Sequence, residues 1–264
     1  MTLRVAIEGV AFWASRLPGW ELARAVMRGE RTAPDAPSAR PAPALLAPNE
    51  RRRAPDTVTL ALEAAARACE AAGRNPSDLP SVFASTHGDV AISDYVCSTL
   101  ATTPTLISPT KFHNSVHNAA AGYWSIGTGS LAPYTSISAH KYTFGAGLIE
   151  AAAQAVCAQR PVLYVAFDSE SRGVLATMAP SRGLLGAAVV LAPAGQAQQH
   201  RSLILTTEPV AECHPTPARS AAAPLVAENA LAPCLPFFEV LAMSQPRTLC
   251  LALSRQTALN VEVN

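Results

Sequence analysis

The chain has 264 residues, of which 49% are hydrophobic and 15% are charged, a composition that supports a large buried core and argues against disorder. Its 20 Lys and Arg residues almost balance its 19 Asp and Glu residues, so the charge gives no basic surface for nucleic acid or an anionic membrane. No stretch is apolar over the roughly 18 residues of a spanning helix and no signal-peptide pattern opens the chain, so we expect a cytoplasmic protein.

The N-terminal quarter alternates predicted elements with one long connection. Residues 3–13 predict a strand and 20–28 a short amphipathic helix. Residues 32–55 carry six prolines, which remove backbone donors and predict an extended loop lying on the body of the protein. A strong helix follows from Asp56 or Thr57 to Ala72, where Gly73 ends it.

The middle of the chain predicts a further alternation of strands and helices. A short apolar strand is expected at 81–86 and a further strand at 134–139. Helices are expected at 90–101, about 113–126 and about 143–159.

The remaining predicted elements are strands. Residues 161–167 are almost wholly apolar, as in a strand buried on both faces, and 184–192, 202–206, 248–253 and 258–263 are further candidates. Strands alternating with long helices predict an α/β architecture with helices on both faces of a sheet.

Cysteine spacing predicts free thiols. None of the cysteines forms a C-x-x-C pair, so we expect buried free thiols in a reducing compartment rather than a disulfide scaffold or structural zinc site. The six residues are Cys69, Cys97, Cys157, Cys213, Cys234 and Cys250.

Several motifs of common enzymes are absent from the sequence. It has neither the G-x-S-x-G turn of α/β-hydrolases nor a phosphate-binding loop. The run 127–129 (Gly-Thr-Gly) ends a predicted helix, whereas a dinucleotide fingerprint must open one. His113 and His117 have the i, i+4 spacing of a metal pair, but no acid stands between them as in H-E-x-x-H, so hydrogen bonding is favoured and no metal site is predicted.

One segment carries the family signal. Residues 108–170 contain a helix with Asn-Ala-Ala-Ala-Gly (118–122), a glycine turn, a strand, a tight turn, an Ala-rich helix and an apolar strand that ends in an acid. This order resembles the N-terminal half of a β-ketoacyl synthase of the thiolase fold, and the Gly-rich strand at 183–191 and the helix region at 49–68 extend the resemblance. It covers roughly residues 1–195 and implies a mixed sheet with helices on both faces.

Two departures from that family bear on activity. Its nucleophilic Cys stands in a strand-to-helix turn, where this chain reads Ser-Ala-His-Lys-Tyr-Thr (138–143), so His140 takes the Cys position. Imidazole does not form the stable acyl thioester that a thiolate forms. The family's two catalytic histidines lie in glycine-containing motifs of the C-terminal half, and neither His200 nor His214 has such a motif. We expect a single truncated domain over 1–264, with 196–264 divergent, that cannot run the condensation alone.

The combination resembles ketosynthase-like N-terminal domain proteins, or chain-length factors, of bacterial aryl polyene and xanthomonadin-type pathways. The resemblance implies a non-catalytic subunit paired with a complete β-ketoacyl synthase, which takes the phosphopantetheine arm of an acyl carrier protein. It implies no cofactor on this chain and an acyl tunnel shaped across the heterodimer.

The resemblance also implies a set of site residues. The strand 134–139 would pair with its counterpart across a two-fold axis, beside the helix 113–126. Internal core is the alternative for the aromatic members, and His140 has the alternative of plugging the vestigial pocket and capping the helix. The tunnel and interface candidates are Phe112, His113, Val116, His117, Tyr123, Trp124, Tyr134, Ser136, Ser138, His140, Tyr142 and Phe144.

Three arginines and two rival functions complete the hypotheses. Arg51, Arg52 and Arg53 could contact an acidic carrier protein, although a solvated charge run is favoured. One rival function is a stand-alone thioester hydrolase using His140 with Asp168 or Glu170. The other is a scaffold that stabilises the ketosynthase without contacting the acyl chain.

Overall fold

The computed structural model describes residues 1–195 and 201–264. The strands are β1 (Thr2–Ala14), β2 (Leu17–Pro18), β3 (Ser81–Ala84), β4 (Tyr134–Ile137), β5 (Val162–Asp168), β6 (Leu185–Pro193), β7 (Arg201–Pro209), β8 (Arg247–Ala252) and β9 (Thr257–Val263). The helices are α1 (Trp20–Met27), α2 (Pro48–Arg53), α3 (Asp56–Ala72), α4 (Val90–Thr102), α5 (Pro109–His113), α6 (Ala119–Thr128), α7 (Thr143–Ala158), α8 (Ala223–Val226) and α9 (Leu235–Ala242). Short 3₁₀ turns occupy Pro76–Asp78, Pro104–Leu106, Val174–Thr177 and Ala232–Cys234.

The described strands form one mixed sheet in the order β4-β3-β5-β6-β1-β7-β9-β8, with β2 paired to the end of β1. Strand β3 runs parallel to both β4 and β5, whereas β6 is antiparallel to β5 and to β1. Strands β1, β3, β4 and β5 therefore all end at the same edge of the sheet. The predicted mixed sheet with helices on both faces is confirmed.

Both faces of the sheet are covered, which explains the continuous apolar runs of the sequence. Every residue of β5 is buried. Its Val162, Tyr164 and Ala166 pack with α1, α7 and α9, and its alternate residues pack with α3 and α6 on the other face. The period of two along β5 thus divides its side chains between two cores.

Helix α3 lies directly on β1 because β1 carries a glycine at the contact. The pairing of β1 with β6 has a bulge between Ile7 and Gly9, and a Cβ at Gly9 would lie 2.2 Å from the carbonyl oxygen of Ala68. Only a residue without a side chain fits this approach.

The segment predicted as one helix over 113–126 is two helices, so that prediction is wrong. Helix α5 begins earlier, where the Ser108 hydroxyl accepts the Lys111 amide, and α6 begins at Ala119. Between them the His117 ring leaves the helical path and its Nε2 lies 2.9 Å from the Ser85 carbonyl oxygen. A tertiary hydrogen bond therefore overrides the helical pattern.

The proline-rich connection over 32–55 is extended only in part. Helix α2 forms within it, with Pro48 at its first position, where the missing N–H has no helical partner to lose.

Residues 201–264, where the sequence predicted strands at 202–206, 248–253 and 258–263, extend the same sheet. Strands β7, β9 and β8 continue it beyond β1 as an antiparallel array. Phe238 of α9 packs with Phe12 of β1 and Phe144 of α7 at ring-centroid distances of 5.3 and 5.9 Å. The C-terminal segment therefore shares a core with the N-terminal part.

The prediction of buried free thiols is wrong for four of the six cysteines. Cys213 and Cys250 form a disulfide, and Cys97 and Cys157 are exposed. Cys69 and Cys234 are buried and free, and burial raises the pKa of Cys69 to about 12. The spacing of the cysteines could not predict the disulfide between Cys213 and Cys250, because these residues are 37 positions apart and only the fold brings them together.

No helix within 1–195 and 201–264 combines the length and apolarity that crossing a membrane requires.

The close contact at Gly9 generates a stability prediction. We expect Gly9→Ala to lower the free energy of unfolding by about 2–3 kcal/mol, because the new methyl group overlaps the α3 backbone. Urea unfolding followed by circular dichroism measures it. Gly122→Ala in α6 is the matched control, since a Cβ there meets nothing within 4 Å. Equal stability of the two variants would contradict the close contact.

Candidate functional site

A buried carboxylate organises the edge where the parallel strands end. Asp168, the last residue of β5, is 1% exposed. Its Oδ1 accepts hydrogen bonds from the Ser85 hydroxyl (2.8 Å) and from the amides of Thr86 (3.0 Å) and His87 (3.3 Å), and Oδ2 lies 3.1 Å from the Thr86 amide. Burial raises the pKa of Asp168, although these hydrogen bonds oppose the shift. The carboxylate therefore holds the turn that follows β3.

The turn after β3 also holds two candidate residues by hydrogen bonds. The Ser138 hydroxyl donates to the carbonyl oxygen of Thr86 (3.0 Å), and His117 contacts the carbonyl oxygen of Ser85. Asn229, from the C-terminal segment, donates to the carbonyl oxygen of Asp168 itself. One cluster of hydrogen bonds thus links β3, β4, β5 and the loop between α5 and α6.

A sharp turn carries His140 between β4 and α7. His140 has φ of 53°, a left-handed conformation uncommon outside glycine. Its carbonyl oxygen accepts from the Thr143 hydroxyl (2.6 Å), and that hydroxyl oxygen accepts the Ala139 amide (2.9 Å). These bonds close the turn and leave the imidazole exposed.

The imidazole is engaged only through one ring nitrogen. Its Nδ1 accepts the Lys141 amide at 2.7 Å, so the neutral ring carries its proton on Nε2. The side chain is exposed, and among the described residues no hydrogen bond engages Nε2, which leaves this nitrogen open to another molecule.

The acid–base pair required by the hydrolase hypothesis is not formed. Asp168 is committed to the turn after β3, and Glu170 lies 3.6 Å from Arg172. Among the described residues, neither carboxylate has a hydrogen bond to His140.

Strand β4 is a free sheet edge. It pairs with β3 on one side and is terminal in the strand order, so its outward backbone groups are open to another strand. Tyr134, at its start, is 41% exposed, and the Ser136 hydroxyl is a buried group without a partner among the described residues.

Several exposed apolar side chains lie in the segments before this edge, and two of them, Val116 and Ile126, line one cavity with Tyr134 of β4. With the exception of Met1, the large exposed hydrophobic residues that the structure describes belong to the region 100–134 and to 174–178. The second segment is held to α4, since the Asp94 carboxylate accepts the Val174 amide at 2.8 Å. A patch of this extent marks an interaction surface. We define the apolar band as Leu100, Leu106, Phe112, Val116, Ile126, Leu131, Tyr134, Val174 and Met178.

A cavity of about 430 Å³ opens within the band. It brings together His113, Val116, Tyr123 and Tyr134, which the sequence singled out, and the His113 and Tyr123 rings lie 6.4 Å apart. The sequence analysis missed further lining residues, because only the fold shows that the segment around α2 faces α6. These are Leu46, Glu50 and Ile126.

Two predicted site residues lie in the core. Trp124 is 2% exposed and packs on Phe83, and Phe144 is 4% exposed and packs on Phe237. The internal-core alternative therefore describes both.

The remaining candidates lie at or near the surface. Phe112 is 60% and Val116 51% exposed. The residues that are exposed are His113, Ser138 and His140, and those half-buried are His117, Tyr123, Ser136 and Tyr142.

The spacing of His113 and His117 does not produce a metal pair, because the helix breaks between them. In residues 1–195 and 201–264 no group of three or more His, Cys, Asp or Glu side chains could hold a metal ion. His214 is exposed, and His200 lies outside the described residues.

The three arginines of α2 differ in their surroundings. Arg51 donates to the carbonyl oxygen of Leu46 (2.9 Å), and Arg52 is hydrogen-bonded to Asn49. Arg53 lines a second cavity, of about 490 Å³, together with Arg40, Lys111 and Arg172.

The family model of the β-ketoacyl synthase N-terminal domain matches residues 25–233. No curated protein matches the chain.

Three solved structures share the fold over nearly whole chains. A ketosynthase (ApeO) in complex with its chain length factor (ApeC) from Xenorhabdus doucetiae matches at 21% identity and a TM-score of 0.73, covering 98% of this chain and 99% of that one. The ishigamide ketosynthase/chain length factor matches at 13% and 0.71, and AntDE:AntF, an acyl-carrier protein in complex with its ketosynthase, at 12% and 0.75, each covering 99% of both chains. These similarities confirm the thiolase-like fold.

The buried carboxylate generates the next prediction. Asp168→Ala leaves the Ser85 hydroxyl and two amides without an acceptor, so we expect a loss of about 2–4 kcal/mol in the free energy of unfolding. Asp168→Asn can keep Oδ1 as the acceptor and should lose much less. Urea unfolding of both variants measures the difference.

Comparing the wild type with Asp168→Asn also predicts a pH dependence of the free energy of unfolding. Burial raises the pKa of Asp168 from its usual 3.8, so ionising this carboxyl costs more free energy in the folded protein than in the unfolded chain. The stability of the wild type relative to Asp168→Asn should be greatest below the usual pKa and fall as pH rises through the raised value. If the stability of the wild type relative to Asp168→Asn instead grows with pH, burial is not the dominant influence on the pKa of Asp168.

Proposed function

Because the chain belongs to the β-ketoacyl synthase N-terminal domain family, we propose that it is a non-catalytic chain-length-factor subunit. Its partner is a complete β-ketoacyl-acyl carrier protein synthase, with which it forms a heterodimer in the cytoplasm. The observation that carries this proposal is the free edge of β4 inside the apolar band.

The edge and the band together favour a large protein partner. Open backbone groups on β4 are satisfied by a strand added from another subunit, and exposed side chains such as Phe112 and Ile126 are buried by the same contact. Interfaces of obligate subunits are large and apolar, which matches this surface and not a small-molecule site.

The turn that carries His140 favours a subunit without its own condensation chemistry. It has the strained strand-to-helix geometry that elsewhere presents a nucleophile, but the residue there is an imidazole, and its Nδ1 is occupied by the Lys141 amide. The partner would supply the thiol and the catalytic histidines, and the phosphopantetheine arm of the carrier protein would reach that partner.

The acyl tunnel would run from the partner toward Phe112 and Val116. Val116 lines the 430 Å³ cavity, and Phe112 is an exposed residue of α5 next to His113, which also lines it, so the bulk of the two side chains would limit how far an acyl chain extends. A rigid polyene cannot coil, and one bulky side chain at the end of its path is enough to set its length. Aryl polyene-type products are the class we propose.

Among the arginines, Arg53 best suits a carrier-protein contact. It has no hydrogen bond or ion pair among the described residues, whereas Arg51 and Arg52 are engaged within their own segment. An acidic helix of a carrier protein has the complementary charge. A solvated charge is the alternative for all three.

The proposed role predicts product length. The chain is co-expressed with a ketosynthase and a carrier protein encoded next to it in the genome, and the products are measured by mass spectrometry. We expect Val116→Phe to shorten the product by one or more two-carbon units, because it fills the tunnel end, and Phe112→Ala to lengthen it. Leu22→Ala is the matched control and should leave the product length unchanged. Leu22 is half-buried on α1, which packs on β1, and three strands separate β1 from β4.

The outcomes separate the rival functions. Unchanged product length with an intact heterodimer would favour the scaffold and overturn the tunnel role. Thioester hydrolysis by the chain alone, abolished by His140→Ala, would favour the hydrolase. Failure to co-purify with the ketosynthase would overturn the subunit role itself.

A further inference from the structure

The end of the sheet opposite β4 is closed by a short covering segment. Strand β8 is terminal there, and among the described strands its one partner is β9. We define the cover as residues 210–217. The Thr216 amide donates to the carbonyl oxygen of Cys250 in β8 (2.8 Å), and the Cys250 amide donates to the Thr216 hydroxyl oxygen (2.9 Å). One residue of the cover therefore satisfies both outward backbone groups of Cys250.

The composition of the cover stops the sheet from growing. Pro215 and Pro217 flank Thr216, and neither has an N–H to offer another strand. An uncovered β8 would present open donors and acceptors to other chains. The cover thus protects an edge that the proposed function leaves unused.

A covalent bond holds the cover in place. Cys213 of the cover is bonded to Cys250 of β8, with Cα atoms 5.7 Å apart. Cys213 is 2% exposed and Cys250 is half-buried. The same strand residue therefore carries both the hydrogen bonds and the disulfide that fix the cover.

We propose that Cys213 and Cys250 form a redox site that locks and releases the cover of the β8 edge. The co-reactant is a low-molecular-weight disulfide. The more accessible Cys250 thiolate attacks one of its sulfurs and releases the first small thiol. The Cys213 thiolate then attacks Cys250 in the mixed disulfide and releases the second, so two protein thiols become one disulfide and the reagent is reduced to two thiols.

The other cysteines do not compete for this pairing in the fold. Cys69 and Cys234 are buried and free, and burial raises the pKa of both thiols, which suppresses their thiolates. Cys97 on α4 and Cys157 on α7 are exposed, and serine can replace them. The proposal is also independent of the proposed function, because β4 and β8 lie at opposite ends of the sheet.

The test uses the full chain carrying Cys97→Ser and Cys157→Ser. After exposure to glutathione disulfide, non-reducing peptide mapping should show the Cys213 peptide joined to the Cys250 peptide. Reduction with a phosphine should then raise the hydrogen-exchange rates of the Thr216 and Cys250 amides at least tenfold. The Leu251 amide is the internal control, because alternation along β8 points it toward β9. Reduction should also lower Tm by roughly 5–10 °C.

A further variant makes the outcome decisive. Cys213→Ser should exchange rapidly at Thr216 in both oxidised and reduced buffer and show no redox dependence of Tm. If that variant does not fold, the comparison of the oxidised and reduced forms of the chain carrying Cys97→Ser and Cys157→Ser remains decisive. Absence of the cross-linked peptide at every glutathione disulfide concentration, or unchanged exchange at Thr216 and Cys250 on reduction, would overturn the proposal.

Discussion

The Asp168 carboxylate is the interaction on which the site depends. It ends β5 in the interior, where a charge is tolerated only with a full set of hydrogen bonds, and it obtains them from the turn after β3. That turn binds Ser138 before the left-handed residue and His117 before α6. The positions of the turn at His140, of the β4 edge and of the cavity beside α6 therefore follow from one buried group. The sequence analysis considered Asp168 as a catalytic base, whereas its hydrogen bonds give it a structural role.

The two edge strands of the sheet differ in whether another part of the chain covers them. The β8 end is covered by a proline-flanked segment tied to it by hydrogen bonds and a disulfide. The β4 end pairs on one side only among the described strands, and the exposed side chains of Val116 and Ile126 lie beside its Tyr134. An unprotected edge beside apolar surface is an aggregation hazard unless a partner covers it. This asymmetry favours an obligate subunit at β4, and the two proposals rest on opposite ends of the molecule.

Much of the architecture could be predicted from the sequence because β5, β6 and α3 have strong, uninterrupted patterns. The position of His140 came from resemblance, since nothing in its local spacing marks it. The helix break before α6 was missed because it depends on a hydrogen bond between His117 and Ser85, which are far apart in the sequence. The burial of individual aromatic side chains could not be predicted from the sequence either. Trp124 and Phe112 are both aromatic residues in helical segments, and only the fold shows that one is in the core and the other is exposed.

The most direct test of the central claim is hydrogen–deuterium exchange of this chain alone and in complex with its ketosynthase. The account predicts fast exchange at residues 134–137 in the isolated chain and strong protection of those amides, with residues 112–116, once the proposed ketosynthase partner is added. Exchange at β4 that stays fast when the proposed partner is bound, or protection that appears at β8 instead, would contradict the account.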